Sequence, residues 1–185
     1  MRKQAFIIGV IGNVLEHYDM ALFALLAPFI APLFFHTLDP LSALVMIYVM
    51  IPLGMITRPL GALFFGWVAD QYGRRQALCA SLVGMAIATV SIGCLPTSHK
   101  IGVLSPIFLA IIRLFQSFFA AGESAGGAIY VLEHTDVSKQ SLMSSFFDAS
   151  TIGGILIASG LVTFLSEKRW IEIGWRYLFW AGGAA

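Results

Sequence analysis

Residues 5–35 read AFIIGVIGNVLEHYDMALFALLAPFIAPLFF. The run is apolar and longer than the roughly 20 residues a membrane-spanning helix needs. It carries Glu16 and Asp19 in its interior and Pro28 and Pro32 near its far end. A soluble helix of this composition would need a large protein core to bury it on all sides. In a bilayer it needs only neighbours for its two carboxylates. Met1-Arg2-Lys3 ahead of the run resembles the start of a signal peptide. However, the run passes two acidic residues and meets no small-x-small site, so an uncleaved first span is expected.

The rest of the chain repeats the pattern. Of 185 residues, 58% are hydrophobic and only 11% charged, about half the charged fraction of a soluble domain. Mean hydropathy is +0.86. Fifteen Phe and eighteen Gly suit lipid-facing bulk and close helix packing. The expected fold class is all-α and integral to a membrane, with five transmembrane helices and the start of a sixth in one domain, 1–185. The expected bounds are 5–35, 42–69, 77–95, 106–133, 142–165 and 177–185. Pro52 and Pro59 fall inside the second span, where membrane helices tolerate them as kinks. Ser166 to Arg176 is polar and Trp-rich, as interfaces are. The last apolar run is too short to cross, so a fragment or one part of a divided protein is expected.

Several classes are excluded. A net charge of +1 offers no basic stripe for nucleic acid. Cys79 and Cys94 share one span and lie too far apart to bridge. His17 has no second His or Cys nearby, so no metal site is expected. Gly122-Glu123-Ser124-Ala125-Gly126 matches glycine-x-serine-x-glycine, but it lies mid-helix rather than on a strand-to-helix turn. No enzyme is expected, and no cofactor. Basic residues count five (Arg2, Lys3, Arg74, Arg75, Lys139) against four (Lys100, Lys168, Arg169, Arg176) across the membrane. With the first helix leading, this places the N-terminus in the cytoplasm.

Ionisable residues at the bilayer centre cost about 2.5–3.5 kcal/mol each and mark a path or site. Here they are Glu16, Asp19, Arg58, Arg113, Glu123 and Asp148. The third span has none, which suits a helix on the outside of the bundle. Glu16 and Asp19 share a face, and Arg113, Gln116, Ala120 and Glu123 form one stripe. At 1.5 Å per residue, Asp19 lies roughly 21 Å from the cytoplasmic end of its helix and Arg113 roughly 10 Å from the outer end of its own. In a core about 30 Å thick these are one level, so Asp19 and Arg113 are candidates for a buried ion pair. Such a pair can serve as a binding site or simply tie two helices together. Arg58, followed by Pro59 near the cytoplasmic end, reads first as a structural charge that reaches the interface. For Glu123, among small residues that allow close helix approach, both roles stay open.

Three stretches together resemble the major facilitator superfamily. Gly66-Trp67-Val68-Ala69-Asp70-Gln71-Tyr72-Gly73-Arg74-Arg75 is similar to its signature loop, with Gln71 where a basic residue is usual. Arg113-Leu114-Phe115-Gln116-Ser117 resembles the fourth-helix motif, with Ser117 in place of glycine. Gly12-Asn13-Val14-Leu15-Glu16-His17-Tyr18-Asp19 is similar to the opening of the metabolite:proton symporters, the family of proline/betaine and dicarboxylate transporters, with His17 where Trp is usual. Arg58-Pro59-Leu60-Gly61 and Gly122-Glu123 fit the same family.

The resemblance implies the incomplete N-terminal six-helix half of a twelve-helix fold. It implies a gating loop built on Arg58, Gly66, Asp70, Gly73, Arg74 and Arg75, in which Asp70 meets a helix of the second half. It also implies a substrate and proton pathway through Glu16, Asp19, Arg113, Gln116, Glu123 and Asp148. Thr151-Ile152-Gly153-Gly154-Ile155 lacks the proline-glycine pattern of antiporters, which points to symport driven by a proton gradient. The expected partners are the lipid bilayer of the inner or plasma membrane, a small zwitterionic or carboxylate solute, and a second transporter half. The competing expectation is a half-transporter with no transport of its own.

Overall fold

The computed structural model describes residues 3–167 and 170–184. Arg2, Lys168 and Arg169, three of the residues that enter the orientation count, lie outside them. Among the described residues the regular structure is helical throughout: α1 (Lys3–Phe34), α2 (Pro40–Met55), α3 (Arg58–Tyr72), α4 (Arg74–Cys94), a one-turn α5 (Ser98–Ile101), α6 (Leu104–Glu133), α7 (Gln140–Glu167) and α8 (Ile171–Ala184). A 3₁₀ turn, Val137–Lys139, precedes α7. Among the described residues, five spans are long and apolar enough to cross a membrane, with α2 and α3 together forming the second.

α1 is the central helix. It packs against α2, α6, α7 and α8, and Leu22, Phe23, Leu26, Ala27 and Ile30 are wholly buried on it. Because neighbours surround it, its polar residues also point into protein. Asn13 bridges to α7, donating from Nδ2 to the Phe147 carbonyl at 2.9 Å and to Ser150 Oγ at 2.7 Å. The Tyr18 hydroxyl donates to the Leu178 carbonyl of α8 at 3.0 Å. Gly154 sets the α1–α7 distance, since a Cβ there would stand 2.3 Å from the Val14 carbonyl oxygen. Between α1 and α2, Asp39 caps the second helix by accepting from the Ser42 amide at 3.0 Å, with Pro40 at the first helical position. Hydrogen bonding from Ser42 holds the Asp39 carboxyl below its usual range.

The second span differs from the expected continuous helix. It breaks at Ile56 and Thr57. Pro59 has no N–H for the Met55 carbonyl, and its ring crowds that carbonyl. Thr57 stabilises the break by donating from Oγ1 toward the Gly54 and Leu114 carbonyls, each at 2.8 Å.

The sixth helix also begins earlier than expected, at Ile171 rather than near Tyr177. Ile171, Trp175, Leu178 and Phe179 fall on one helical stripe and are all buried. Arg176, which gave the segment its polar look, turns to α4 and donates to the Gly93 carbonyl at 2.7 Å.

The third span, α4, is not peripheral. Half of its apolar window is buried, against 22% for the second span and 17% for the fifth. It is wedged among α3, α6 and α8. Lack of charge does not put a helix outside, because a helix can line a polar site with hydroxyls. The outward surfaces of α2, α3 and α7 carry Val45, Val49, Leu63, Ile152 and Leu156. Such a surface is a liability in water and the ordinary exterior of a helix in lipid.

Candidate functional site

Two polar clusters sit in the interior, and α1 contributes to both. Glu16 and Asp19 are three residues apart, which fans their side chains by about 60° around the helix axis. That offset sends them to different partners.

Asp19 meets α6 and α4. Arg113 Nη1 lies 3.6 Å from Asp19 Oδ2, with both residues buried. Gln116, one turn along α6, is hydrogen-bonded on both sides: its amide oxygen accepts from Arg113 and its amide nitrogen donates to Asp19. Gln116 Nε2 also reaches Thr89 Oγ1 of α4 at 2.8 Å. Thr89 Oγ1 in turn lies 3.1 Å from Asp19 Oδ1. The Arg113 guanidinium stacks 4.1 Å above the ring of Phe23, a cation–π contact strengthened by burial. Its Nε has no partner among the described residues. A guanidinium with spare donors beside a carboxylate can exchange that carboxylate for one on a solute.

Glu16 faces α3 and α6. Arg58 Nη2 donates to Glu16 Oε1 at 2.9 Å, and Ser124 Oγ lies 2.7 and 2.8 Å from the two carboxylate oxygens. Arg58 keeps 28% of its side chain exposed while Glu16 keeps 2%. Glu16 and Asp19, expected on one face, are therefore divided between two cations: Asp19 meets Arg113 and Glu16 takes Arg58. Glu123 is fully buried on the same α6 stripe, with Gly12 and Gly127 leaving space around its carboxyl. Asp148 stands apart, exposed on α7.

A groove lined by Glu16, Asp19, Arg58, Arg113, Gln116 and Met85 runs between the clusters. It offers ≈ 10 Å³, the room of about one water. A larger recess of ≈ 700 Å³ opens at the loop end of the helices, between Tyr72, Arg74, Arg75, Tyr130 and Glu133. In the loop motif, Gly73 has φ 99° and ψ 150°, a region open essentially to glycine alone. It turns the chain from α3 directly into α4. Arg74 Nε lies 3.5 Å from Glu133 Oε1 at the end of α6. Asp70 and Arg75 are exposed, and among the described residues no other element comes within 4 Å of a Cβ placed on Gly66.

Sequence reasoning missed Thr89 and discounted Ser124. The depth arithmetic could have found Thr89, which lies roughly 18 Å along its helix from Ala77 and so level with Asp19. Ser124 was legible as a position four residues from Ala120 on the polar side of α6.

A family model for "Sugar (and other) transporter" matches residues 5–184. The proline/betaine transporter of Salmonella typhimurium is 32% identical over 181 residues, covering 96% of this chain and 36% of that protein. The proline/betaine transporter of Escherichia coli K12 is 33% identical over the same length and share. The chain thus spans little more than a third of the length of these relatives. Among solved structures, the xylose transporter XylE from E. coli in its inward-open conformation superposes with a TM-score of 0.82 at 18% identity, over 97% of this chain and 44% of XylE. XylE bound to 6-bromo-6-deoxy-D-glucose gives 0.83. At that identity the likeness speaks for the fold. With a family model running almost end to end, and helices that follow those of a major facilitator, this chain belongs to the sugar (and other) transporter family, a family of multi-pass membrane transporters rather than enzymes.

Proposed function

We propose that the chain forms the N-terminal portion of a proton-coupled symporter for a small zwitterionic or carboxylate metabolite. It would lie in the inner or plasma membrane with its N-terminus in the cytoplasm. The observation that carries the reading is the buried Asp19–Arg113 pair, bridged by Gln116, with the further carboxylates Glu16 and Glu123 behind it. A proton arriving on this carboxylate group lowers its hold on the cations, and Arg113 becomes free to take a substrate carboxylate through its paired donors. Four of the expected pathway residues, Glu16, Asp19, Arg113 and Gln116, line the groove. Asp148 would enter the pathway only from the exposed side of α7. The names of the relatives, proline/betaine transporters, support a zwitterionic solute.

The loop motif fits a gating role. Gly73 gives α3 and α4 a fixed turn, and Arg74 ties that turn to the end of α6. Exposed Asp70 and open Gly66 are free to meet a second half. Alternating access by rocking of two halves requires helices beyond these, in the same chain or separately encoded. The second reading is that these 185 residues taken by themselves form a half-transporter without transport of their own.

Radiolabelled uptake into proteoliposomes tests both, using this chain with and without a second half and a panel of amino acids, betaine and dicarboxylates. Uptake only with the second half, flattened in its pH dependence when Glu16 and Asp19 both become amides, is the expected result. Normal uptake by Arg113→Ala would refute the mechanism. Normal uptake by the chain alone would refute the need for a partner half.

A further inference from the structure

Glu123 raises a question that the Asp19–Arg113 pair leaves unanswered. It is fully buried, and among the described residues nothing donates to either of its carboxyl oxygens. A charged carboxylate left this way in a membrane interior is among the most costly arrangements in a protein. Yet the site is built to hold a carboxyl. A Cβ on Gly12 of α1 would stand 2.9 Å from Glu123 Oε1, and one on Gly127 would stand 2.8 Å from it. Glycine at both positions leaves that space to the carboxyl.

Glu123 packs against Gly12, one turn before Glu16 on the same face of α1, and its chain neighbour Ser124 hydrogen-bonds both Glu16 oxygens, so the two carboxyls are neighbours. Two carboxylates cannot bond to each other without a proton between them. Around the pair, α1 contributes Glu16 itself, with Asp19 one turn on and His17 turned to the Asn13 carbonyl. α3 contributes Arg58, and α6 contributes Glu123 and Ser124. α4 and α7 face it with Leu82 and Phe147, neither of which titrates. Arg58 and Ser124 satisfy the Glu16 oxygens on their outer sides. The charge count is two negatives against one positive, and a single added proton makes it neutral.

We infer that Glu16 and Glu123 share one exchangeable proton, and that its arrival or departure sets how firmly Arg58 holds α3 to α1. The inference rests on the proton-coupled reading above and deepens it by separating the proton site from the Asp19–Arg113 substrate site. The step is a proton transfer only. H⁺ from the aqueous side adds to the carboxylate pair, and Glu123 then donates O–H to Glu16. Arg58 next faces a pair of net charge minus one rather than minus two. Arg58 opens α3, and α3 ends at the Gly73 turn and the Arg74–Glu133 contact. The proton is thereby linked to the loop through one rigid helix of 15 residues. The Asp19–Arg113 pair takes no part in this proton transfer and stays available for the substrate carboxylate.

Infrared difference spectroscopy on the reconstituted transporter containing this chain reads the proton directly through the C=O stretch of a protonated carboxylic acid. At neutral pH the wild type should show this band. Glu123→Gln should abolish it, and Asp19→Asn should leave it in place. Arg58→Gln removes the facing cation, so the pair should take a second proton and the band should about double. This second variant keeps the test decisive if Glu123→Gln does not fold. Transport supplies the parallel readout: the ratio of gradient-driven accumulation to substrate exchange should collapse in Glu123→Gln.

A wild type without the band overturns the inference. So does a band that survives both Glu123→Gln and Arg58→Gln unchanged, or one that disappears with Asp19→Asn. If the wild type takes up no protons with substrate, the symport reading fails, and the band alone then decides whether the pair holds a proton.

Discussion

Replacing Arg113 by alanine separates a binding role from a bracing role. The side chain is buried, lies 3.6 Å from Asp19, donates to the Gln116 amide oxygen and stacks on Phe23. Removing it leaves the Asp19 carboxylate in the interior with Thr89 and Gln116 but no cation. Breaking one side of a buried pair costs about 3–5 kcal/mol, because the surviving charge is left unpaired. Removing both charges together costs less than removing one, since no unpaired charge is left buried. Thermal unfolding in detergent should therefore show a large loss for Arg113→Ala and substantial recovery for Asp19→Asn combined with Arg113→Ala. Uptake by the complete transporter should be lost in both. The double variant decides the matter, because it repairs stability without restoring a guanidinium. If it also restores uptake, the pair only braces α1 against α6 and the binding argument is wrong. If the single variant is as stable as wild type, the burial of the pair has been misread.

Thr89→Val keeps the shape of the side chain and removes the hydroxyl between Asp19 and Gln116. It should cost about 1–3 kcal/mol in the same unfolding assay and weaken substrate affinity; unchanged values for both would remove α4 from the site. Gly73→Ala places a side chain at φ 99° and should destabilise by about 1–3 kcal/mol, read as lost gate closure in cysteine cross-linking across the loop end. Wild-type behaviour there would show that the loop can rearrange freely. Gly61→Val builds a Cβ onto a backbone where one would lie 2.1 Å from the Phe118 carbonyl oxygen. It should separate α3 from α6 at a cost of about 1–3 kcal/mol or more, and an unaltered melting temperature would mean that the two helices pack less closely than described.

Much of the helical layout was legible because apolar length is a strong signal in lipid. Its failures share a cause. The break at Ile56 and Thr57 was marked by Pro59, but a proline does not say whether a helix will bend or open. The outcome depended on Thr57 finding the Leu114 carbonyl across the helix interface. The early start of α8 was hidden by Arg176, whose charge is absorbed by a carbonyl on α4. Neither partner is local in sequence. The same holds for the site. Depth arithmetic brought Asp19 and Arg113 to one level, because rise per residue is fixed, but rotation about the helix axis is not readable from depth. Glu16 and Asp19 shared a face in the coarse sense, and only packing showed that 60° of rotation gives them different cations.

That rotation has a consequence for how one helix can serve two ions. If both carboxylates met Arg113, a proton and a substrate carboxylate would compete for a single guanidinium, and each would simply displace the other. With Arg58 assigned to Glu16 and Arg113 to Asp19, the two events occur at separate cations on separate helices, α3 and α6. The two cations are joined through α1, which carries both carboxylates, and through the contact of α3 with α6 at Gly61. Coupling then needs no shared ligand. It needs α1, α3 and α6 to move as packed bodies, so that releasing Arg58 changes the space available at Arg113. Close-packed small residues favour this kind of transmission, because a contact with no slack must either hold or slide as a unit. The glycines at 61 and 154, where backbone meets backbone, are therefore as much a part of the coupling as the charges they bring together.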